Sequence, residues 1–296
     1  MSRAVAVLQR TISDAIQQAA SRLAACGVES ARLDAEVLMA VAAGLTRAEA
    51  LSARANPSSE TLERFDAMVA RRERREPVAY IVGRKEFYSL DFEVSPAVLI
   101  PRPETEMLVS AALETIAGIP APRVVDIGTG SGAIAIAIAV NSPAAHVVAT
   151  DISRDALAVA ARNVAAHRVE SRVTLRIADC FEVRDAGPPL GRFDLIVSNP
   201  PYIDDAAVAG LMPDVRDYEP RVALSTGADA DRFSFYRQLA AGARDRLEER
   251  GEVIVEVGAA QSRDVVAIFE RAGLNVRSVI DDLAGHHRVL RAAPRS

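Results

Sequence analysis

Arg123-Val-Val-Asp126-Ile-Gly128-Thr129-Gly130-Ser131-Gly132 decides the fold. Arg123 to Asp126 reads as a buried strand and Gly132 to Val140 as a helix. The glycines between them let the backbone turn sharply and come close to a ligand. The alternation continues downstream: strand His146 to Asp151, helix Ser153 to Arg168, strands Val173 to Ala178 and Phe193 to Ser198. A long helix is expected over Arg232 to Arg250, then strand Glu252 to Val257, helix Gln261 to Ala272, and strands Val276 to Ile280 and Arg288 to Leu290. Such alternation means α/β: a parallel sheet covered by helices on both faces. No helix separates the last two strands, so the final one is expected to run antiparallel.

Ligands of open α/β sheets bind at the carboxyl ends of the strands, and this chain puts polar groups there repeatedly. The loop spacing G-x-G-x-G, with Ala133 next, also satisfies the dinucleotide fingerprint. Taken alone, it allows a nicotinamide cofactor as well as S-adenosylmethionine. Asp151 ends the second strand and can accept hydrogen bonds from both ribose hydroxyls in either class. Asp179 ends the third and is placed to bond an exocyclic adenine amine, with Phe181 stacking on the ring; the plainer alternative is a helix cap and a core phenylalanine. Asn199-Pro200-Pro201-Tyr202 follows the fourth strand. Proline has no N–H and ends the ladder, and Asn-Pro commonly begins a turn. The group also suits a planar –NH2: Asn199 Oδ1 and the Pro200 carbonyl as acceptors, Tyr202 as a flat apolar face. Hydride transfer has no use for such a clamp. Methylation of an amide or amino nitrogen does, so Asn199 belongs both to the acceptor site and beside the cofactor.

Upstream, residues 1 to about 76 read as all-helical. Val5, Leu8, Ile12 and Ile16 recur at helical spacing, as do Leu33, Val37, Leu38 and Val41. A third helix follows Asn56-Pro57-Ser58 and ends in Arg71-Arg72-Glu73-Arg74-Arg75-Glu76-Pro77. That arginine cluster reads as a solvated helix end, its cations near the negative end of the dipole, or as a docking surface. Phe87 to Val94 reads as a hairpin with its turn near Ser89-Leu90. The expected organisation is a helical domain over 1–83 and a catalytic domain over 84–296, with 84–102 as a hairpin linker.

Net charge is −5, so no general basic field collects nucleic acid, and direct binding to it is not expected. Lys85 is the only lysine. Cys26 and Cys180 stand far apart, and neighbouring His286-His287 would point to opposite faces of a strand; no metal site is expected. No apolar run approaches the ~20 residues of a membrane span. Arg3 to Arg10 is too short and interrupted for a secretory signal, which makes the cytoplasm the expected compartment.

In these motifs the chain resembles the S-adenosylmethionine-dependent methyltransferases of the Asn-Pro-Pro-Tyr type, which act on adenine N6 of nucleic acid or on glutamine N5 of proteins. The linker is finer-grained. Arg75-Glu-Pro-Val-Ala-Tyr80-Ile-Val-Gly83, Glu86-Phe87, Val98-Leu-Ile-Pro-Arg-Pro-Glu-Thr-Glu106 and Val215-Arg-Asp-Tyr-Glu-Pro220 resemble the HemK/PrmC release factor glutamine methyltransferases. The resemblance implies a class I S-adenosylmethionine-dependent methyltransferase fold, with a seven-stranded mixed sheet whose last strand is antiparallel. It implies S-adenosylmethionine as cofactor, S-adenosylhomocysteine as product, and the Gly-Gly-Gln glutamine of class-1 peptide chain release factors as substrate. The helical domain would help dock that partner. Asp126, Gly128, Thr129, Gly130, Ser131, Gly132, Asp151, Asp179 and Phe181 would hold the cofactor, with Phe181 where many relatives have tryptophan.

Overall fold

The computed structural model describes residues 10–53, 56–227 and 231–295. Val5, Leu8 and the segment from Arg3 to Gln9 lie outside them. The chain divides into two compact units. One ends at Gly83 and also takes in Pro213–Tyr218; the other comprises Arg84–Met212 and Glu219–Ser296.

The first unit is built on α1 (Ile12–Ala25), α2 (Ala31–Ala43), α3 (Arg47–Ser52), α4 (Ser59–Glu73) and α5 (Val78–Val82). Its core joins Ile16 and Leu23 of α1, Leu38 and Met39 of α2, and Phe65 and Val69 of α4. Helices α3 and α5 go beyond the sequence reading. Thr46 and Glu49 close a capping box on α3, and Pro77 starts α5 rather than only ending α4.

The arginine run at the end of α4 is largely paired, and Arg74 alone of its four arginines is exposed to solvent. Arg72 is buried, with Nε 2.7 Å from Asp34 and Nη1 2.7 Å from Asp214. Arg75 reaches the other Asp214 oxygen at 2.6 Å and donates to the Gly27 carbonyl at 2.8 Å. Arg71 pairs with Glu76. The Tyr218 hydroxyl donates to the Arg74 carbonyl at 2.6 Å. The cluster is thus a clamp on Pro213–Tyr218. A buried guanidinium needs its charges paired, and Asp34 and Asp214 supply the partners.

The second unit begins with hairpin β1 (Arg84–Phe87) and β2 (Leu90–Glu93). Its turn is Tyr88-Ser89, both at positive φ, one residue earlier than the sequence suggested. A 3₁₀ turn, Pro103–Thr105, leads into α6 (Glu106–Ile116). Then follow β3 (Arg123–Ile127), α7 (Ala133–Asn141), β4 (His146–Asp151), α8 (Arg154–Ala166), β5 (Val173–Asp179), β6 (Glu182–Val183) and β7 (Phe193–Ser198). After β7 come α9 (Pro213–Arg216, in the first unit), α10 (Arg221–Leu224), α11 (Ser234–Arg246), β8 (Leu247–Glu256), α12 (Ser262–Arg271), β9 (Leu274–Asp281) and β10 (His287–Pro294).

The sheet order is β6-β5-β4-β3-β7-β8-β10-β9. β5, β4, β3, β7 and β8 run parallel, and β10 lies antiparallel between β8 and β9. Seven strands are therefore joined by one more, the two-residue β6, which folds back on the end of β5. Helix α11 stops well short of the expected Arg250, because Leu247 already pairs with Phe193. A register shift follows, and Gly251 lies there with no room for a side chain: a Cβ would meet the Phe193 carbonyl at 2.9 Å.

Alternate residues face two layers, as strand geometry requires. Val124, Val147, Leu195 and Val197 pack against α6 and α7. Val125, Ile127, Ile196 and Val255 pack against α11 and α12. The residues of α7 from Ala133 to Ala139 are all buried, which is what an all-apolar helix needs. Strand order reverses between β3 and β7, the switch point at which a crevice opens. The register Ile127↔Ser198 sets Gly128 and Asn199 at the ends of neighbouring strands.

Candidate active site

A cavity of about 370 Å³ opens at this switch point, within the usual size of a small-molecule site. Gly128, Thr129, Gly130, Ser131, Asp151, Asp179, Asn199 and Pro201 line it. The Gly128 and Thr129 amides donate to the Thr150 carbonyl at 2.9 and 2.8 Å, which folds the loop over the end of β4. The Gly130 amide donates to Asp151 Oδ2 at 2.9 Å, and Ser153 N to Oδ1 at 2.9 Å. Burial pushes the Asp151 carboxyl up, and these amides pull it back. Asp126 is fully buried and does not line the cavity. It supports the loop from below, accepting from Thr129 Oγ1 at 2.6 Å. Gly132 is also behind the wall. It starts α7 at φ +83°, and a Cβ there would meet Ile136 at 3.0 Å and Ala160 at 3.4 Å. Asn163, buried on α8, ties the loop to the hairpin: its Nδ2 donates to the Ser131 carbonyl at 2.8 Å and the Glu93 carbonyl at 3.0 Å.

Asp126 and Gly132, expected to hold the cofactor, are not the only expected site residues that stand away from the cavity wall. Phe181 does not line this cavity; with Asp179 and Cys180 it lines an adjoining one of about 360 Å³. Its ring is buried against Gly242 and under the Arg246 guanidinium, 4.9 Å from the ring centre. Cys180, at φ +51°, lines the cavity instead; one residue of turn after β5 decides which side chain faces it. Tyr202 is half-buried and packs on the core between β8 and α11, so its flat face is not part of the wall. Its hydroxyl points to Glu256 at 3.4 Å, and burial pushes its pKa up to about 12. The Pro200 ring is buried as well. Asp179 lines the cavity but caps no helix; it pairs with Arg184 at 2.6 Å.

Residues 14–83 match the family described as PrmC N-terminal domain, and residues 104–212 that described as Methyltransferase small domain. The chain is 44% identical over 281 residues to the release factor glutamine methyltransferase of Cereibacter sphaeroides, covering 95% of this chain and 97% of that protein. The enzyme of the same name from Geobacter sulfurreducens is 43% identical, with 95% of each chain covered. This chain belongs to the release factor glutamine methyltransferase family. Among solved structures, the Thermus thermophilus 16S rRNA N2 G1207 methyltransferase in complex with AdoMet and guanosine shares the fold, at 20% identity and TM-score 0.51 over 72% of this chain and 50% of that one.

The cavity of this family member fits S-adenosylmethionine on its own geometry. At Gly128 and Gly130 both φ values are positive and nothing stands within 4 Å of where a Cβ would be. The loop is a bare backbone cradle that a side chain would fill. Among the described residues no group of His, Cys, Asp or Glu could hold a metal ion, and no helix is long and apolar enough to cross a membrane.

Two site residues are not flagged by the sequence. Thr105 lines the cavity and accepts from Asn199 Nδ2 at 3.1 Å; its own hydroxyl donates to Glu256 Oε2 at 2.6 Å. Glu256 is buried at the end of β8. Burial pushes its carboxyl up, and the Thr105 hydroxyl and the Arg288 charge pull it back. The rule that exposes Asn199, a polar residue at the carboxyl end of an apolar strand, also picks out Glu256 after Val253-Ile-Val.

Asp126 carries a testable pH signature. Burial pushes its carboxyl up to about 7, against the pull of Thr129 and the Ala135 amide. In the unfolded chain it ionises near 3.8. Between these values the folded state holds the extra proton, so stability falls as pH rises. In urea melts without cofactor, Asp126→Asn should lose less stability than the parent between pH 4 and pH 7.5, with a gap of at most about 4 kcal/mol. Parallel pH profiles for the two proteins would show that Asp126 ionises normally.

Proposed function

We propose that this protein transfers the methyl group of S-adenosylmethionine to the side-chain amide nitrogen of the glutamine in the Gly-Gly-Gln motif of class-1 peptide chain release factors. The register Ile127↔Ser198, which sets Asn199 beside the glycine loop in one cavity, carries this reading. Family membership over nearly the whole chain supports the choice of acceptor.

Gly128, Gly130 and Asp151 would hold the cofactor, which when bound supplies an electrophilic methyl on a sulfonium whose C–S electrons leave with the sulfur. An amide nitrogen is a poor nucleophile because its lone pair is delocalised into the carbonyl. Asn199 Oδ1 and the Pro200 carbonyl accept its two N–H bonds and aim the lone pair. Positioning of this kind is worth roughly 7–11 kcal/mol. The methylated amide then loses its proton to water, so no histidine is needed. Tyr202 supports the clamp from within: its carbonyl accepts from Gln261 Nε2 at 2.8 Å. The helical unit helps dock the release factor, and the reaction takes place in the cytoplasm.

The test is methyl transfer from labelled S-adenosylmethionine to four acceptors in parallel: purified release factor, the same factor with Gly-Gly-Gln changed to Gly-Gly-Ala, a DNA oligonucleotide and an RNA oligonucleotide. Label on the intact factor alone is expected. Label on the Gly-Gly-Ala factor would remove the acceptor assignment, and label on nucleic acid would move the clamp to adenine.

A further inference from the structure

An asparagine amide can be set either way round, and only one way offers an oxygen to a substrate N–H. We propose that Glu256, acting through the Thr105 hydroxyl, fixes the orientation of Asn199, committing Nδ2 to Thr105 and leaving Oδ1 for the acceptor nitrogen. Both are positioning residues, and their role rests on the reading of Asn199 as the amide clamp.

The hydrogen bonds have one direction. Thr105 donates its single hydroxyl proton to Glu256 Oε2. At 2.6 Å that bond is at the short end of the O–H···O range. Tyr202 donates to the other oxygen at a weaker 3.4 Å, so the Thr105 bond dominates. Thr105 then has only lone pairs for Asn199, which must answer with N–H, and Nδ2 stands 3.1 Å away. Without an acceptor behind it, the hydroxyl could turn and donate to Oδ1, and the amide could flip. Thr105 and Glu256 are 4% and 2% exposed, so water does not readily replace either partner. The positions come from separate elements: Thr105 from the turn before α6, Asn199 from the end of β7, Glu256 from the end of β8.

Four single variants test this: Thr105→Val, Thr105→Ser, Glu256→Gln and, as reference, Asn199→Ala. Each is assayed for kcat and KM with release factor and for S-adenosylhomocysteine affinity by calorimetry. Thr105→Val removes the hydroxyl. Glu256→Gln replaces an acceptor with a group that can donate, so it permits the reversed network. Both should lower kcat, roughly 10- to 100-fold on the scale of groups that orient a reacting residue from behind, with KM and S-adenosylhomocysteine affinity close to the parent. Thr105→Ser keeps the hydroxyl and should recover most of the rate. Parent-like kcat in Thr105→Val, or a loss in Thr105→Ser as deep as in Thr105→Val, overturns the relay. So does a loss confined to S-adenosylhomocysteine affinity, the mark of a structural role. If Asn199→Ala is itself active, the clamp reading has failed; if it is inactive while Thr105→Val is active, only the relay has.

Discussion

Asn199→Ala is expected to lower kcat for release factor methylation by roughly 10²–10³-fold, the usual cost of deleting one preorganised polar contact to the reacting group. Affinity for S-adenosylhomocysteine should change little, because the glycine cradle and Asp151 stand on β3 and β4, not on β7. The reason for a large effect is geometric. Asn199 is held at Nδ2 by Thr105, and its backbone continues a strand buried on both faces, so its oxygen is fixed in place before substrate arrives. Steady-state kinetics with release factor, together with calorimetry on the same preparation, gives both numbers. Near-parental turnover would end the clamp reading. Asn199→Asp is the less clean test, since it keeps an acceptor and adds a charge.

The second large effect is on stability. Arg72→Met should destabilise the helical unit by about 3–5 kcal/mol, the cost of removing one partner from a buried ion pair. Asp34 and Asp214 would be left facing each other with only Arg75 to neutralise them. Where 1 kcal/mol shifts Tm by about 4–8 °C in a unit of this size, the first transition in a circular dichroism melt should fall by more than 10 °C. Hydrogen exchange would place the loss in α2, α4 and Pro213–Tyr218. A triple variant Arg72→Met/Asp34→Asn/Asp214→Asn should regain much of it, because no unpaired charge remains. A single variant that melts within a few degrees of the parent would show the clamp to be of little energetic weight.

Much of this was legible in the residues. The strand–glycine loop–helix at 123–140 announced the sheet, and the polar ends of β3, β4, β5 and β7 announced the cavity edge. Periodicity works there because the strands are buried on both faces and read as apolar runs. Other features escaped for physical reasons. Whether Cys180 or Phe181 faces the cavity depends on a single residue at positive φ after β5, which no composition rule gives. The end of α11 was misplaced because Leu247-Glu-Glu-Arg250 is good helix-forming sequence, overridden by pairing with β7. The pairing of Arg72 and Arg75 escaped because Asp214, their shared partner, lies far along the chain.

Pro213–Tyr218 has a consequence for how this protein can be divided. The boundary at Gly83 suggests two separable pieces, yet a cut there sends Asp214 away with one fragment and leaves Arg72 and Arg75 in the other. The break cannot be clean: the amino-terminal piece carries a buried cation short of a counter-ion, and the remainder carries a stretch with nothing to grip it. Exchanging helical units between relatives therefore means transplanting two stretches of sequence rather than one. Positions 72, 75 and 214 should change together, as a single heritable unit spread across the chain.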